Sequence, residues 1–466
     1  MIRPPQSPSR YLTGSVWNVM ITTAISLLPG TIALSGYNIA DAYFVAKLGT
    51  AALAAMGYTF PPILVIMALF RGLSVGILTT VSQAEGANRK RTAAQLVSLG
   101  LIFAALLSVA IGIVGYYSMD WVLCRLGAQG DALELSRQYM IVTYWTILCA
   151  GLVITTNDVL ISIGAPQWAS GLMCGSLFLN IALDPALIFG FGPIPALGIS
   201  GAAWATAISQ FAAIAVSFLL LWKKRYLTWS WLPPRRVRIL GGRIIRFAIP
   251  SVLSMLLLPL GNAVVTQATS TFGDAAVAAS AAGGRIESLA FILPMALGIA
   301  LLPMIGQNFG AKNYERINQI RRVAMRFALT YLIATSVLFF LAADFLAGFF
   351  AENNPDVRRI LVLYLQIVSW GFCMIEIHRY GTFFLLGCNH PKSSAFLNAF
   401  RILLCLVPLT LLAQRFGWLP GLFIARLLAD LISGILGWTW GKRITDQLSS
   451  ESCLNDPDAG IASCRR

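Results

Sequence analysis

Charge is what this chain lacks most. Only 11% of its 466 residues are charged, where a soluble globular protein carries about 25%. That scarcity excludes a soluble enzyme and a disordered chain. Histidine is rarer still, with His378 and His390 alone. None of the eight cysteines forms a C-x-x-C pair, and most sit in apolar stretches, so a zinc or disulfide framework has no support. No Gly-rich phosphate loop, metal-ligand spacing or nucleophile motif stands out, which argues against a membrane-embedded enzyme. The start, MIRPPQSPSRYLTG, leads into an apolar run too long for a signal-peptide core and is followed by no small-residue cleavage pattern, so it reads as an uncleaved first span.

Apolar residues are abundant instead, at 57% of the chain with a mean hydropathy of +0.74. Twelve spans of about 20 residues each need roughly 240 residues, and apolar runs punctuated by Gly, Pro and charge clusters supply them. The expected architecture is an all-α polytopic membrane protein. It has an N-terminal tail over 1–14, six helices over 15–222, a basic linker over 223–243, six helices over 244–440 and a polar tail over 441–466.

The net charge of +15 would suggest nucleic acid in a soluble protein. Placed on these spans, 23 of the 34 Lys and Arg residues fall on one side, in segments that include Arg89-Lys90-Arg91, Lys223 through Arg238, Lys312 through Arg326 and both tails. That asymmetry puts both termini in the cytoplasm and makes anionic lipid, not nucleic acid, the partner of the positive charge.

The chain also repeats. Residues 49–55 read GTAALAA and residues 273–279 read GDAAVAA, five of seven identical at an offset of 224. The same offset aligns Gln83, Gly86 and Ala87 with Gln307, Gly310 and Ala311, and Pro166 and Pro391 lie 225 apart. Two six-helix halves running the same way are a plan on which secondary transporters are built.

Six acids stand in apolar surroundings within the spans: Asp41, Asp158, Asp184, Glu287, Glu376 and Asp430. Five arginines accompany them: Arg71, Arg285, Arg379, Arg401 and Arg426. A charge at the bilayer centre costs at least ~2.5 kcal/mol, so each needs a partner or a wet cavity. Arg426 and Asp430, at i and i+4, are expected to pair, whereas Arg285 and Glu287 are two apart and cannot. Asp41 shares a helix face with Tyr37 and Asn38, and Asp184 with Asn180. Pro185 leaves the Ile181 carbonyl without a helical donor. If these two helices touch, the result is an oxygen-only cluster suited to a hard cation or a proton, titrating as one unit. The competing reading has Arg71 neutralising one of the two acids. Pro29, Pro294 and Pro303 are expected to bend the first and eighth helices, with Pro29 a hinge twelve residues before Asp41. His390 reads as a loop residue and His378 as a hydrogen-bonded one.

The residues that carry these features also carry a resemblance. The run from Asp41 through DAYFVAKLGTAALAA, then LFRGLSVGILTTVSQAEGAN with its F-R-x4-G-x6-Q-x-x-G-A pattern around Arg71, resembles the opening helices of multidrug and toxic compound extrusion (MATE) transporters, most closely their DinF-like branch. NIALDP at 180–185, GISGAAWAT up to Thr206, and GGRIESLAFILPMALGIALLPMIGQNFGAKN are similar to later parts of that family. The resemblance covers about residues 13–440. It implies twelve helices in two lobes and export of small amphipathic, often cationic, compounds from a bacterial or archaeal plasma membrane against H⁺ or Na⁺, with no other cofactor and as a monomer. It also implies a cation or proton site, with Na⁺ as one occupant, at Asp41, Asn180, Asp184 and Thr206, with Asn157 a neighbour. Glu287, Glu376 and Arg71 stand as candidates for substrate contact. The alternative within transport is a flippase for an anionic lipid-linked precursor, which would need the arginines free to line a cavity.

Overall fold

The computed structural model describes residues 10–193, 195–228, 233–350 and 354–454, and every regular element among them is helical. In a bilayer the backbone has no water to bond, so an apolar segment must satisfy its own amides, and the helix does so. The first six spans are single helices: α1 (Val16–Ala46), α2 (Thr50–Gly86), α3 (Lys90–Arg125), α4 (Gly130–Ser162), α5 (Pro166–Ile188) and α6 (Ile199–Lys223). α7 (Pro234–Ser270) is the seventh. The eighth is α8 (Asp274–Ala290) followed by α9 (Ile292–Gly310), and α10 (Tyr314–Leu341) with the short α11 (Ala343–Phe350) is the ninth. α12 (Pro355–Val368) and α13 (Phe372–Gly387) form the tenth, α14 (Pro391–Ala399) and α15 (Val407–Arg415) the eleventh, and α16 (Leu419–Leu454) the twelfth. Twelve described helical stretches are long and apolar enough to span a membrane. Large apolar side chains such as Tyr117, Trp145, Phe211 and Phe349 point outward, as a lipid-facing surface requires.

The proline expectations divide. Pro294 has no N–H for the carbonyl of Ala290, and the eighth span opens there, with Phe291 between α8 and α9. α1 continues through Pro29 and α9 through Pro303 without interruption. Near Pro29 the backbone N–H of Gly30 donates to Ser170 Oγ on α5 at 2.8 Å. A break not expected from the sequence is a π-helical stretch at Phe400–Leu406, just before Pro408. The eleventh span widens there because Pro408 offers no donor to Leu404.

The ends differ from the expected tails. α16 runs to Leu454 rather than stopping at 440, because its polar end is held: Arg321 donates to Thr445 Oγ1 at 2.9 Å and Asn318 to Asp446 at 3.3 Å. Before α1, Tyr11 is fully buried, and Arg316 donates to the carbonyls of Thr13 and Gly14. Residues 1–9 and 455–466 of the expected tails lie outside the described residues.

The helices form two compact units. One, here the N-lobe, holds Ile25–Glu85 and Arg89–Val252. The other, the C-lobe, holds the chain before Ile25, Gly86–Asn88 and everything from Leu253. Each unit thus takes in the start of the helix that opens the other sequence half. In the N-lobe, α4 packs on α3 and α6, and α5 on α6. In the C-lobe, α13 lies against α9, α10 and α16, while α12 contacts α8.

Candidate ion site in the N-lobe

Small residues decide which helices meet around Asp41. A Cβ on Gly30 would lie 3.0 Å from the Ser170 backbone, and one on Gly36 3.2 Å from Leu177, so α1 presses against α5. A Cβ on Gly201 would stand 2.4 Å from the Leu187 carbonyl, so the start of α6 sits equally close to the end of α5. These approaches bring Asp41 of α1, Asn180 and Asp184 of α5 and Thr206 of α6 to one place.

Asp41, Asn180 and Asp184 are buried. The Asp41 carboxyl lies against the Asp184 carboxyl, the Asn180 amide and the Thr206 hydroxyl. Asn180 Nδ2 donates to Asp184 Oδ1 at 3.3 Å, one turn along the same helix. The remaining oxygens, Asp41 Oδ1, Asn180 Oδ1, Asp184 Oδ2 and Thr206 Oγ1, have no hydrogen-bond partner in the protein. A buried polar atom left without a partner costs about 1–3 kcal/mol, so four in one cluster is an arrangement that calls for a shared ligand. The donor set is oxygen only and carries two carboxyls, which suits a proton or a hard monovalent cation.

Asn157 behaves differently. It is buried on α4, but its amide nitrogen turns to Met173 Sδ at 3.1 Å, and its Oδ1 has no partner. The side chain of Asn38 lies outside the described residues.

The cluster also has a wall of which sequence reasoning found only Tyr37. Tyr37 is hydrogen-bonded to Ser209, which in turn donates to the Thr206 carbonyl at 2.9 Å. Ser176 reaches Tyr37, and Tyr139 of α4 lies close to both carboxyls. Ser176 was legible in principle, since 176, 180 and 184 are successive i,i+4 positions on one face of α5. Tyr139 carried no local signal.

The other four acids are each matched with an arginine. Arg71 sits 3.6 Å from Asp158, which also accepts from Ser74 at 2.6 Å. Arg71 therefore does not neutralise Asp41 or Asp184. Glu376 pairs with Arg379, one turn away, at 3.0 Å. Glu287 pairs with Arg426 and accepts from Tyr364 at 3.0 Å. The expected Arg426–Asp430 pair does not form: Arg426 reaches across to Glu287 on α8, and Asp430 is held by Arg401 at 2.6 Å. Arg285 is exposed. His378 bonds Asn398 through Nε2 at 3.1 Å, as an ordinary buried histidine would.

The repeat makes the two lobes directly comparable. An offset of 224 carries Asp41 onto Val265, and 225 carries Asp184 onto Leu409. Val265 packs against Cys405, Leu406 and Ala429 in an apolar cluster of the C-lobe. Where one lobe has facing carboxyls, the other has hydrocarbon.

Comparison with known proteins agrees with this plan. Residues 27–186 and 250–412, one block in each half, match the MatE family. The chain is 30% identical over 442 residues to a protein named FAD transporter from Shewanella oneidensis, covering 94% of this chain and 97% of that one. It is 26% identical over 369 residues to the probable multidrug resistance protein YoeA of Bacillus subtilis, covering 77% and 79%. The bent form of the Vibrio cholerae MATE transporter VcmN superimposes with a TM-score of 0.87 at 27% identity, covering 93% of this chain and 98% of that one. With both halves matched, twelve spans in place and a full-length likeness to transporters of this plan, the chain belongs to the MatE family of membrane transporters.

Proposed function

We propose that the protein is a secondary exporter of small amphipathic organic compounds, coupled to inward movement of H⁺ or Na⁺ at Asp41 and Asp184. One observation carries the coupling assignment: of six acids in the spans, these two alone face each other without an arginine, and their free oxygens share one cluster with Asn180 and Thr206. The names of the relatives, which include multidrug export proteins, support the substrate class.

A ligand drives alternation only through different affinities for the two states. A proton or Na⁺ bound between the carboxyls offsets their repulsion and supplies the partner that four oxygens lack. The cation-loaded state is the one that releases substrate outside. Substrate entering from the cytoplasm then favours the state from which the cation leaves inward. Asn180 and Thr206 orient the carboxyls, and the Gly30–Ser170 contact beside Pro29 ties α1 to α5. Asn157 is a neighbour of this site on α4. Positive charge on one side supports cytoplasmic termini in the plasma membrane, and the chain acts as a monomer. The flippase reading needs arginines whose charge is not neutralised, and four of the five are each paired with a carboxylate.

The test is transport in proteoliposomes. Wild-type protein should move ethidium under an imposed pH or Na⁺ gradient, and the effective gradient identifies the ion. Asp41→Asn and Asp184→Asn should each fall to the level of empty liposomes. Full gradient-driven transport by both variants would refute the assignment.

A further inference from the structure

The C-lobe holds charges that the coupling site does not use, and they are unevenly balanced. Its spans carry Arg285, Arg379, Arg401 and Arg426 against Glu287, Glu376 and Asp430. Arg401 is spent on Asp430, with Nε at 2.8 Å and Nη2 at 2.6 Å, and is nearly buried. Arg379 and Arg426 differ from it. Their side chains remain 34% and 27% exposed, while the carboxylates that anchor them are 0% and 10% exposed. Arg379 meets Glu376 through Nη1, and Arg426 uses Nη1 for Tyr364 and Nη2 for Glu287. A guanidinium carries five N–H donors, so both retain donors on their exposed side.

The eighth span sets the spacing of these two groups. Arg426 binds Glu287, and Arg379 lies 5.3 Å over the ring of Phe291, four residues further on. Four helical residues rise about 6 Å. Their anchors, Glu287 and Phe291, therefore stand about one turn apart along the same span. Phe291 also marks the middle of that span, so an exposed guanidinium beside it faces water or a ligand, since facing acyl chains would cost at least ~2.5 kcal/mol. A guanidinium fork with donors to spare matches the oxygens of a phosphate or diphosphate by planar, multiple donation.

We propose that Arg379 and Arg426 form an anion subsite of the C-lobe that receives the phosphate or diphosphate of an amphipathic aromatic substrate. This rests on the exporter reading and names a substrate class for it: organic anions of the nucleotide type, beside the cationic amphiphiles. The relative named FAD transporter handles a cargo with this chemistry. A lipid phosphate headgroup has the same chemistry and is distinguished by experiment.

The experiment is binding to the intact purified protein, read by flavin fluorescence anisotropy with FAD and riboflavin and by ethidium fluorescence. FAD and riboflavin share a ring system and differ by the phosphates. Two charge-neutral double variants, Glu376→Gln/Arg379→Gln and Glu287→Gln/Arg426→Gln, remove each arginine without stranding its carboxylate. Wild-type protein should bind FAD at least tenfold more tightly than riboflavin, with an affinity that falls as salt rises. Each double variant should weaken FAD at least tenfold and change riboflavin and ethidium less than twofold. Equal affinities for FAD and riboflavin, unchanged FAD binding in both variants, or equal losses for all three ligands would each overturn the proposal. Repeating the measurement in nanodiscs with and without phosphatidylglycerol separates the two sources. Displacement of FAD by that lipid, but not by phosphatidylcholine, would assign the subsite to lipid and also overturn it. Gradient-driven ethidium transport reports Asp41 and Asp184 independently, so failure of one reading leaves the other standing.

Discussion

The two lobes are copies in sequence plan and opposites in what they do with buried charge. In the N-lobe, Asp41 and Asp184 face each other and leave Oδ atoms without partners. In the C-lobe the corresponding positions are apolar, and the membrane carboxylates Glu287, Glu376 and Asp430 each have an arginine. An ion pair favours one geometry, whereas facing carboxyls without an arginine would change their preferred geometry on binding or losing a cation. On the proposed reading, coupling resides in the facing acids of one lobe and rigidity in the ion pairs of the other.

That contrast is open to attack in several ways. The largest effect should come from stranding a charge. Glu287→Ala leaves the half-buried Arg426 without its carboxylate and should destabilise the protein by up to about 3 kcal/mol, seen as a drop in melting temperature in detergent. Asp184→Asn should instead leave the melting temperature unchanged or higher, because it removes a repulsion, although it abolishes transport. A large loss of stability in Asp184→Asn would erase the distinction between the lobes.

Next comes the helix approach that builds the site. Gly201→Ala puts a methyl 2.4 Å from the Leu187 carbonyl and must push α6 from α5, at a cost of about 1–3 kcal/mol. Coupling-ion affinity, measured as the gradient needed for half-maximal transport, should weaken with it because Thr206 rides on α6. Smallest is Ser170→Ala, which removes the acceptor for the Gly30 amide and should cost about 1 kcal/mol with transport retained. Thermal unfolding and the transport rate check both halves of that expectation.

Much of this was legible in the sequence, for physical reasons that also mark where legibility stops. Apolar runs of spanning length report the twelve helices because the bilayer leaves no other way to satisfy the backbone. The i,i+4 spacing of Asn180 and Asp184 showed their common face. It could not show that α1 and α5 meet there, which depends on Gly30 and Gly36 allowing close approach. The same spacing argument misled at Arg426 and Asp430. An arginine side chain is long enough to cross to a neighbouring helix, so Glu287 and Arg401 outcompeted the local partners. Pro294 was visible as a bend, and its effect fell at Phe291, near the residue whose carbonyl it deprives. The extension of α16 was hidden because its polar residues look like a tail until Asn318 and Arg321 are placed beside them.

The central claim is that substrate and coupling ion exchange through Asp41 and Asp184 and through no acid of the C-lobe. Its most direct test is to add ethidium to the purified protein in detergent and measure the protons or radioactive sodium released. Wild-type protein and the Glu287→Gln/Arg426→Gln variant should release the ion, and Asp41→Asn and Asp184→Asn should release none. Release that persists in both N-lobe variants but disappears when Glu287 or Glu376 is neutralised would contradict the account.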